Sequence, residues 1–220
     1  MLSIDEKNRT CLITIDRPPV NALDISLMEK LIESLNQASK LGDHAVIITG
    51  TPGRFCAGLD TKALSLADDN NKDKIFSLLS NLLNTVASYP IPIAASISGH
   101  CLGGGAILAA LCDYRVMEDG DYKLGVPEVK IGLQLPAKVN KILARLVGSH
   151  LAQRLCVEGY LLTPQKAERS GFIDDLTTKN NAGDAASDWC KKILSLPQET
   201  MLAMRAECRK EILSLMKLIN

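Results

Sequence analysis

Apolar and polar residues alternate through Cys11-Leu12-Ile13-Thr14-Ile15-Asp16, which predicts a strand that Arg17-Pro18-Pro19 ends. After Asp24 the period lengthens. Ile25, Met28, Leu31, Ile32 and Leu35 fall at helical spacing as far as about Lys40, with Asp24 as the N-cap. Residues 44–49, with Ala45-Val46-Ile47-Ile48 at their centre, and residues 91–97 are almost wholly apolar. Such runs predict short strands covered on both faces. Residues 65–74 are polar and rich in Asn and Asp and read as a mobile loop, followed by a helix over 75–88. A buried helix over 105–111 and a strand over 113–117 come next, then an irregular, turn-rich stretch over 123–135. Three short helices are expected over 139–146, 149–158 and 164–170, and a last short strand over 173–176. Two amphipathic helices, 182–196 and 198–218, flank Pro197. No internal repeat or linker is visible. Strand-helix-strand order argues for an α/β core with parallel pairing.

Two glycine-rich turns follow predicted strands. One is Gly53-Arg54-Phe55-Cys56-Ala57-Gly58-Leu59-Asp60 and the other is Ser98-Gly99-His100-Cys101-Leu102-Gly103-Gly104-Gly105. Backbone without a Cβ can approach a ligand closely. A helix starting after the second turn would aim unpaired N–H groups and its positive dipole end at the loop. The pair of turns can therefore supply two N–H donors to one carbonyl oxygen, at the strand ends where open α/β sheets bind ligands.

Composition narrows the classes. The 220 residues suffice for one domain with a real core, and 46% apolar with 23% charged is the ordinary globular range. Lys plus Arg equals Asp plus Glu, and aromatics are 4%, so neither a basic nor a base-stacking surface points to nucleic acid. Seven cysteines, an odd number without a C-x-x-C pair, argue against a disulfide framework or zinc and suit a reducing cytosol. The first ten residues carry no secretory apolar run, and Lys217-Leu218-Ile219-Asn220 matches no peroxisomal or reticulum address, so a cytoplasmic protein is expected. Residues 91–112 are uncharged over a bilayer's length. Pro90, Pro92 and the central glycines make a strand, loop and helix end to end the better reading, so no membrane partner is expected.

Several chemistries lack their motifs. There is no G-x-x-x-x-G-K-[ST], G-x-G-x-x-G or G-x-S-x-G, and the three histidines lack metal-ligand spacing. His100 is carried as a substrate-contact candidate, although a loop histidine without a chemical role is the simpler reading. For Cys56 and Cys101 packing is the default. Cys56, beside Ala57, is also a candidate for oxidation that would disturb the site.

Five segments together resemble the crotonase superfamily, which includes enoyl-CoA hydratases and isomerases. They are Ile15-Asp16-Arg17-Pro18-Pro19-Val20-Asn21-Ala22-Leu23, Phe55-Cys56-Ala57-Gly58-Leu59-Asp60, residues 99–112, Cys112-Asp113-Tyr114-Arg115, and Leu124-Gly125-Val126-Pro127-Glu128-Val129-Lys130-Ile131-Gly132. The resemblance covers about residues 12–176. It implies an α/β fold of the ClpP/crotonase type, a spiral of repeated ββα units with C-terminal helices. It also implies an acyl-CoA substrate whose thioester oxygen is held by the backbone N–H groups of Ala57 and Gly104. Cys56, Gly58, Leu59, Asp60, His100, Gly103, Gly105, Ile107, Pro127 and Leu133 are the implied substrate contacts. The acyl pocket is expected from residues 64–84 and 133–136.

The same resemblance bears on the base. Hydratases of the family use two glutamates. Ile107 stands at the first position, and Glu128 matches the second. A single glutamate, with the Ala57-Gly58-Leu59-Asp60 and Cys112-Asp113-Tyr114-Arg115 segments, looks like the mitochondrial-type Δ3,Δ2-enoyl-CoA isomerases. Shifting a double bond moves one proton, and one carboxylate can remove and return it. Hydration benefits from two carboxyls that position water. An apolar Ile107 would raise a nearby carboxyl pKa by desolvation. Other family reactions (hydration, decarboxylation or thioester hydrolysis) and acyl-CoA binding without catalysis are the alternatives.

No permanent cofactor and no metal is implied; coenzyme A arrives with the substrate. Family members continue for several tens of residues beyond the two helices that follow Leu176 here. The expected division is a spiral core over 1–185 and a shortened helical segment over 186–220. A homo-oligomer, trimer or hexamer, is the family expectation. The stretch with Leu202, Ile212, Leu213, Leu215 and Met216 is expected to pack on its own core.

Overall fold

The computed structural model describes residues 2–7, 9–41 and 44–217. The elements run β1 (Leu2–Lys7), β2 (Thr10–Ile15), α1 (Ile25–Ala38), β3 (Ala45–Thr49), β4 (Gly53–Cys56), α2 (Thr61–Leu66) and α3 (Asp69–Ala87). They continue with β5 (Ile93–Ile97), β6 (Gly99–Leu102), α4 (Gly104–Ala110), β7 (Tyr114–Glu118) and β8 (Leu124–Gly125). The chain finishes with α5 (Ala137–Val157), α6 (Pro164–Arg169), β9 (Asp175–Thr177), α7 (Ala182–Leu194) and α8 (Gln198–Met216). Leu218, where the sequence reading ends the last helix, lies outside the described residues.

Two sheets carry the fold. The larger has the order β1-β2-β3-β5-β7-β9, and the smaller β4-β6-β8. All pairings are parallel except β1 with β2. Each of β3, β5 and β7 in the large sheet is followed by one strand of the small sheet and then by helix. This is the stacked ββα spiral that the family resemblance implies. The repeat is structural and leaves no repeated sequence, because each unit buries different side chains.

Burial explains the strand patterns. In β2, residues pointing inward are buried and those between are half-exposed, matching the alternation. In β5 and β7 every residue is buried. One face of the large sheet meets the main core of α1, α3 and α4. The other meets α7, where Ala45, Ile47, Ala94 and Val116 pack on Ala182, Ala186, Cys190 and Leu194. Asp24 caps α1 as expected, accepting from the Leu27 N–H at 2.8 Å. Residues 91–112 form β5, β6 and α4, and among the described residues no helix is long and apolar enough to cross a membrane.

Three expectations are corrected. Residues 65–74 are not a loop: they lie in α2 and the first turns of α3. Asp60 and Asp68 cap those helices, accepting from Ala63 N at 3.0 Å and Asn71 N at 2.8 Å. Their polarity marks a solvated helix face, which composition alone does not distinguish from a loop. The glycine-rich turns each open with a strand, β4 or β6. Strand β1 was not read at all, since a polar edge strand carries no apolar signal. The helices read at 139–146 and 149–158 are halves of α5 bent at Gly148, whose φ of 75° is not helical.

α8 docks on α3 and α5 of its own chain. Met216, with Ile212 and Leu215 beside it, packs on the main core as expected, and an ionic anchor joins them. The buried Arg209 donates to the carbonyls of Val86, Ala87 and Leu111 and to Asp113 at 2.6 Å. Arg205 donates to the same Asp113 at 2.9 Å and to the Tyr89 carbonyl at 2.7 Å. The two guanidiniums thus satisfy carbonyls at the C-terminal ends of α3 and α4, where a cation is favoured. Removing one partner of a buried charge cluster costs about 3–5 kcal/mol. Arg209→Ala is expected to lose stability of that order, read as a lower urea midpoint; an unchanged midpoint contradicts the anchor.

Candidate active site

The turn after β4 and the N-terminus of α4 touch. A Cβ on Gly58 would lie 2.9 Å from the Gly104 amide nitrogen, and one on Gly104 would lie 3.7 Å from the Gly58 Cα. Ala57 precedes this contact. Gly104 is the first residue of α4, and the first bond of the helix runs from Ile107 N to Gly103 O. The Gly104 N–H therefore has no carbonyl partner within its helix. Gly105 lies flat on Cys56, with a would-be Cβ 2.6 Å from the Cys56 carbonyl oxygen, so α4 can approach β4 only with glycine there.

Glu128 arrives from the other side. The Gly103 N–H donates to Gly125 O at 2.8 Å, tying the second turn to β8. Pro127 then caps a short 3-10 helix, Glu128–Ile131, whose first residue is the glutamate. A Cβ on Gly103 would sit 2.8 Å from Glu128 Oε1, and Gly103 has φ +56°, so both position and conformation require glycine. The Glu128 side chain is buried, and among the described residues its Oε2 has no hydrogen-bond partner. Burial pushes its carboxyl above the ordinary glutamate value, against a smaller opposing pull from its own backbone N–H.

These groups face a cavity of about 280 Å³. Leu59, Gly104, Ile107, Glu128 and Leu133 line it, five of the residues named from the sequence. α3 adds Phe76, Leu79, Ser80 and Leu83, and the loop before α5 adds Gln134, Leu135 and Pro136. Lys138 and Val139 at the start of α5 also line it. The sequence reading did not name them, because nothing local distinguishes them from other helix-start residues. Among the described residues Glu128 is the one carboxylate in this wall.

The other named residues do not line this cavity. Cys56 is fully buried and its thiol is pushed up to about 12 by desolvation, which withholds the thiolate that oxidation requires. The burial of Cys56 argues against the oxidation expected of it. Cys101 is buried beside it and shifted the same way. Asp60 caps α2 and pairs with Arg17 at 2.8 Å. The Ala63 N–H, ahead of Arg17, holds its carboxyl below the ordinary value. His100 is exposed, accepts from the Lys123 N–H at 3.2 Å and stands edge-on to Tyr122. Gly103, Gly105 and Pro127 position Gly104 and Glu128 rather than forming the wall.

Comparison with known proteins bears on the family and the fold. The family model for enoyl-CoA hydratase/isomerase matches residues 5–217. A probable enoyl-CoA hydratase of Mycobacterium tuberculosis, EchA17, is 29% identical over 196 residues, covering 89% of this chain and 75% of that protein. The mouse mitochondrial methylglutaconyl-CoA hydratase is 31% identical over 200 residues, covering 89% of this chain and 62% of its own. Among solved structures, human mitochondrial delta3-delta2-enoyl-CoA isomerase superposes with a TM-score of 0.92 at 23% identity, covering 97% of this chain and 84% of that one. With nearly its whole described length matched, the chain belongs to the enoyl-CoA hydratase/isomerase family.

Proposed function

We propose that the protein is a Δ3,Δ2-enoyl-CoA isomerase with Glu128 as its single acid–base group. The observation that carries this reading is a buried carboxylate, unpartnered at Oε2, facing an apolar cavity in which Ile107 occupies the place of a second carboxyl. In this mechanism the N–H groups of Ala57 and Gly104 hold the thioester oxygen. Glu128 takes a proton from C2, and the C2–H electron pair forms a C1=C2 bond as the thioester C=O pair moves onto its oxygen. The resulting dienolate places negative charge on the held oxygen. The same carboxyl returns the proton to C4: the carbonyl re-forms, the C1=C2 pair becomes the C2=C3 bond, and the C3=C4 pair takes the proton. A preorganised donor of this kind is worth about 3–4 kcal/mol of barrier. A positioned general base contributes about 10²–10⁴-fold. Leu59, Leu79, Ile107 and Leu133 keep water from the carbanion.

Hydration is the second reading, favoured by the names of the similar mycobacterial and mouse proteins. The two separate in one assay. Purified protein given 3-hexenoyl-CoA is expected to form the 2-enoyl isomer, with crotonyl-CoA hydrated at least about tenfold more slowly, the effect of losing one acid–base group. Hydration at a comparable rate, or no turnover of 3-hexenoyl-CoA, contradicts the isomerase reading.

The raised Glu128 carboxyl sets the pH dependence. The free enzyme needs the ionised base, so kcat/KM rises with pH through an ionisation above the ordinary glutamate range; a limb within that range contradicts the assignment. The sign for stability is opposite. With the folded pKa above the unfolded one, the protonated carboxyl's contribution is full at low pH and is lost as pH rises through the folded value. Glu128→Gln should therefore gain stability over wild type as pH rises across that window. Parallel denaturation profiles for the two proteins contradict it.

A further inference from the structure

Asn21 belongs to one of the segments that mark the family resemblance, yet it lies outside the cavity and no step of the proposed chemistry uses it. It is fully buried and has a φ of 55°, a left-handed conformation that asparagine adopts more readily than most residues. Its side chain spans two segments. Oδ1 accepts from the Arg17 N–H at 2.8 Å. Nδ2 donates to Arg54 O at 3.1 Å, Phe55 O at 3.3 Å and Thr51 Oγ1 at 3.3 Å.

The bonded carbonyls matter because of where the β4–β6 ladder breaks. Arg54 pairs with His100 and Cys56 with Cys101, so Phe55 is the extra residue of a bulge. A bulged residue has no place in the ladder, and bulges beside active sites re-aim the chain. The Asn21 amide supplies the donor that β6 does not. Two residues further, Leu23 takes over with its backbone: its N–H donates to Gly58 O at 2.7 Å, and its carbonyl accepts from Asp60 N at 3.0 Å. Ala57 thus follows Cys56, which rejoins the ladder opposite Cys101, and precedes Gly58, which Leu23 holds; the bulge at Arg54 and Phe55 that leads into this stretch is held by Asn21. Of these, the bulge is the part whose hydrogen bonds come from a side chain. Arg17 braces the same segment, bonding Ala22 O at 3.2 Å, Asp24 at 2.9 Å and Asp60 at 2.8 Å.

We infer that Asn21 is a positioning residue that aims the Ala57 N–H at the thioester oxygen. The inference rests on the oxyanion reading of Ala57 given above. Without the amide, the carbonyls of Arg54 and Phe55 lose their side-chain donor, the bulge that leads into Ala57 relaxes and its N–H shifts off line, while the apolar cavity, which Asn21 does not line, is untouched.

The test uses Asn21→Gly, which keeps the left-handed backbone accessible, and Asn21→Asp, which sets a carboxyl oxygen against the carbonyls of Arg54 and Phe55. In the folded variants kcat for 3-hexenoyl-CoA is expected to fall about 10–100-fold, the range for weakening one oxyanion donor, with hexanoyl-CoA affinity within about threefold. The infrared band of the thioester carbonyl in bound [1-13C]hexanoyl-CoA should move back toward its frequency in solution. That band is independent of turnover, and a merely structural role would not move it. An unchanged band, or a kcat within about threefold of wild type, overturns the inference. Absence of turnover in the wild type together with an unshifted band defeats the oxyanion reading itself, a result distinct from failure of Asn21 alone.

Discussion

A carboxylate that gives up water without gaining a partner costs free energy, and Glu128 does so at Oε2. The surrounding structure maintains that condition. The 3-10 turn after β8 delivers the residue, the absent Cβ of Gly103 leaves room for Oε1, and apolar side chains from α3, α4 and the loop before α5 close around it. A base that is poorly solvated and poorly bonded is a stronger base when it ionises. In the proposed chemistry that property is what draws a proton from carbon.

The ββα spiral answers the complementary problem of placing donors. β4 and β6 are neighbours in the small sheet, so the two turns that follow them emerge side by side. The glycines there serve contact more than flexibility: α4 rests on Cys56 at Gly105, and the Gly58 turn rests on the α4 amide end at Gly104. The C-terminal helix reinforces the same region from behind, since Arg205 and Arg209 hold Asp113 and the carbonyl ends of α3 and α4. The donors of the proposed chemistry and the cavity wall therefore share one support, which is what transition-state stabilisation by fixed dipoles would require.

Much of this was legible in the sequence because it is local. The apolar runs at 45–48 and 93–97 gave buried strands, Asp24 gave a helix start, and the Leu124–Gly132 segment marked Glu128. What was hidden depends on partners distant in the chain. The helical nature of 65–74 follows from caps at Asp60 and Asp68 and a face left to solvent, which polarity alone disguises. Lys138 and Val139 reach the cavity only through the packing of α5. Arg209 reads as one charge on a polar helix, and only its five hydrogen bonds, four to carbonyls at the ends of α3 and α4 and one to Asp113, reveal a buried anchor. The role of Asn21 depends on a bulge three dozen residues away, which no periodicity records.

The most direct test of the central claim, that one buried carboxylate performs the proton transfer, is the kinetics of Glu128→Gln, a near-isosteric change that removes the base and keeps the cavity. The account predicts that kcat for 3-hexenoyl-CoA falls at least about 10²-fold while hexanoyl-CoA still binds with wild-type affinity. Turnover retained near the wild-type rate would contradict it.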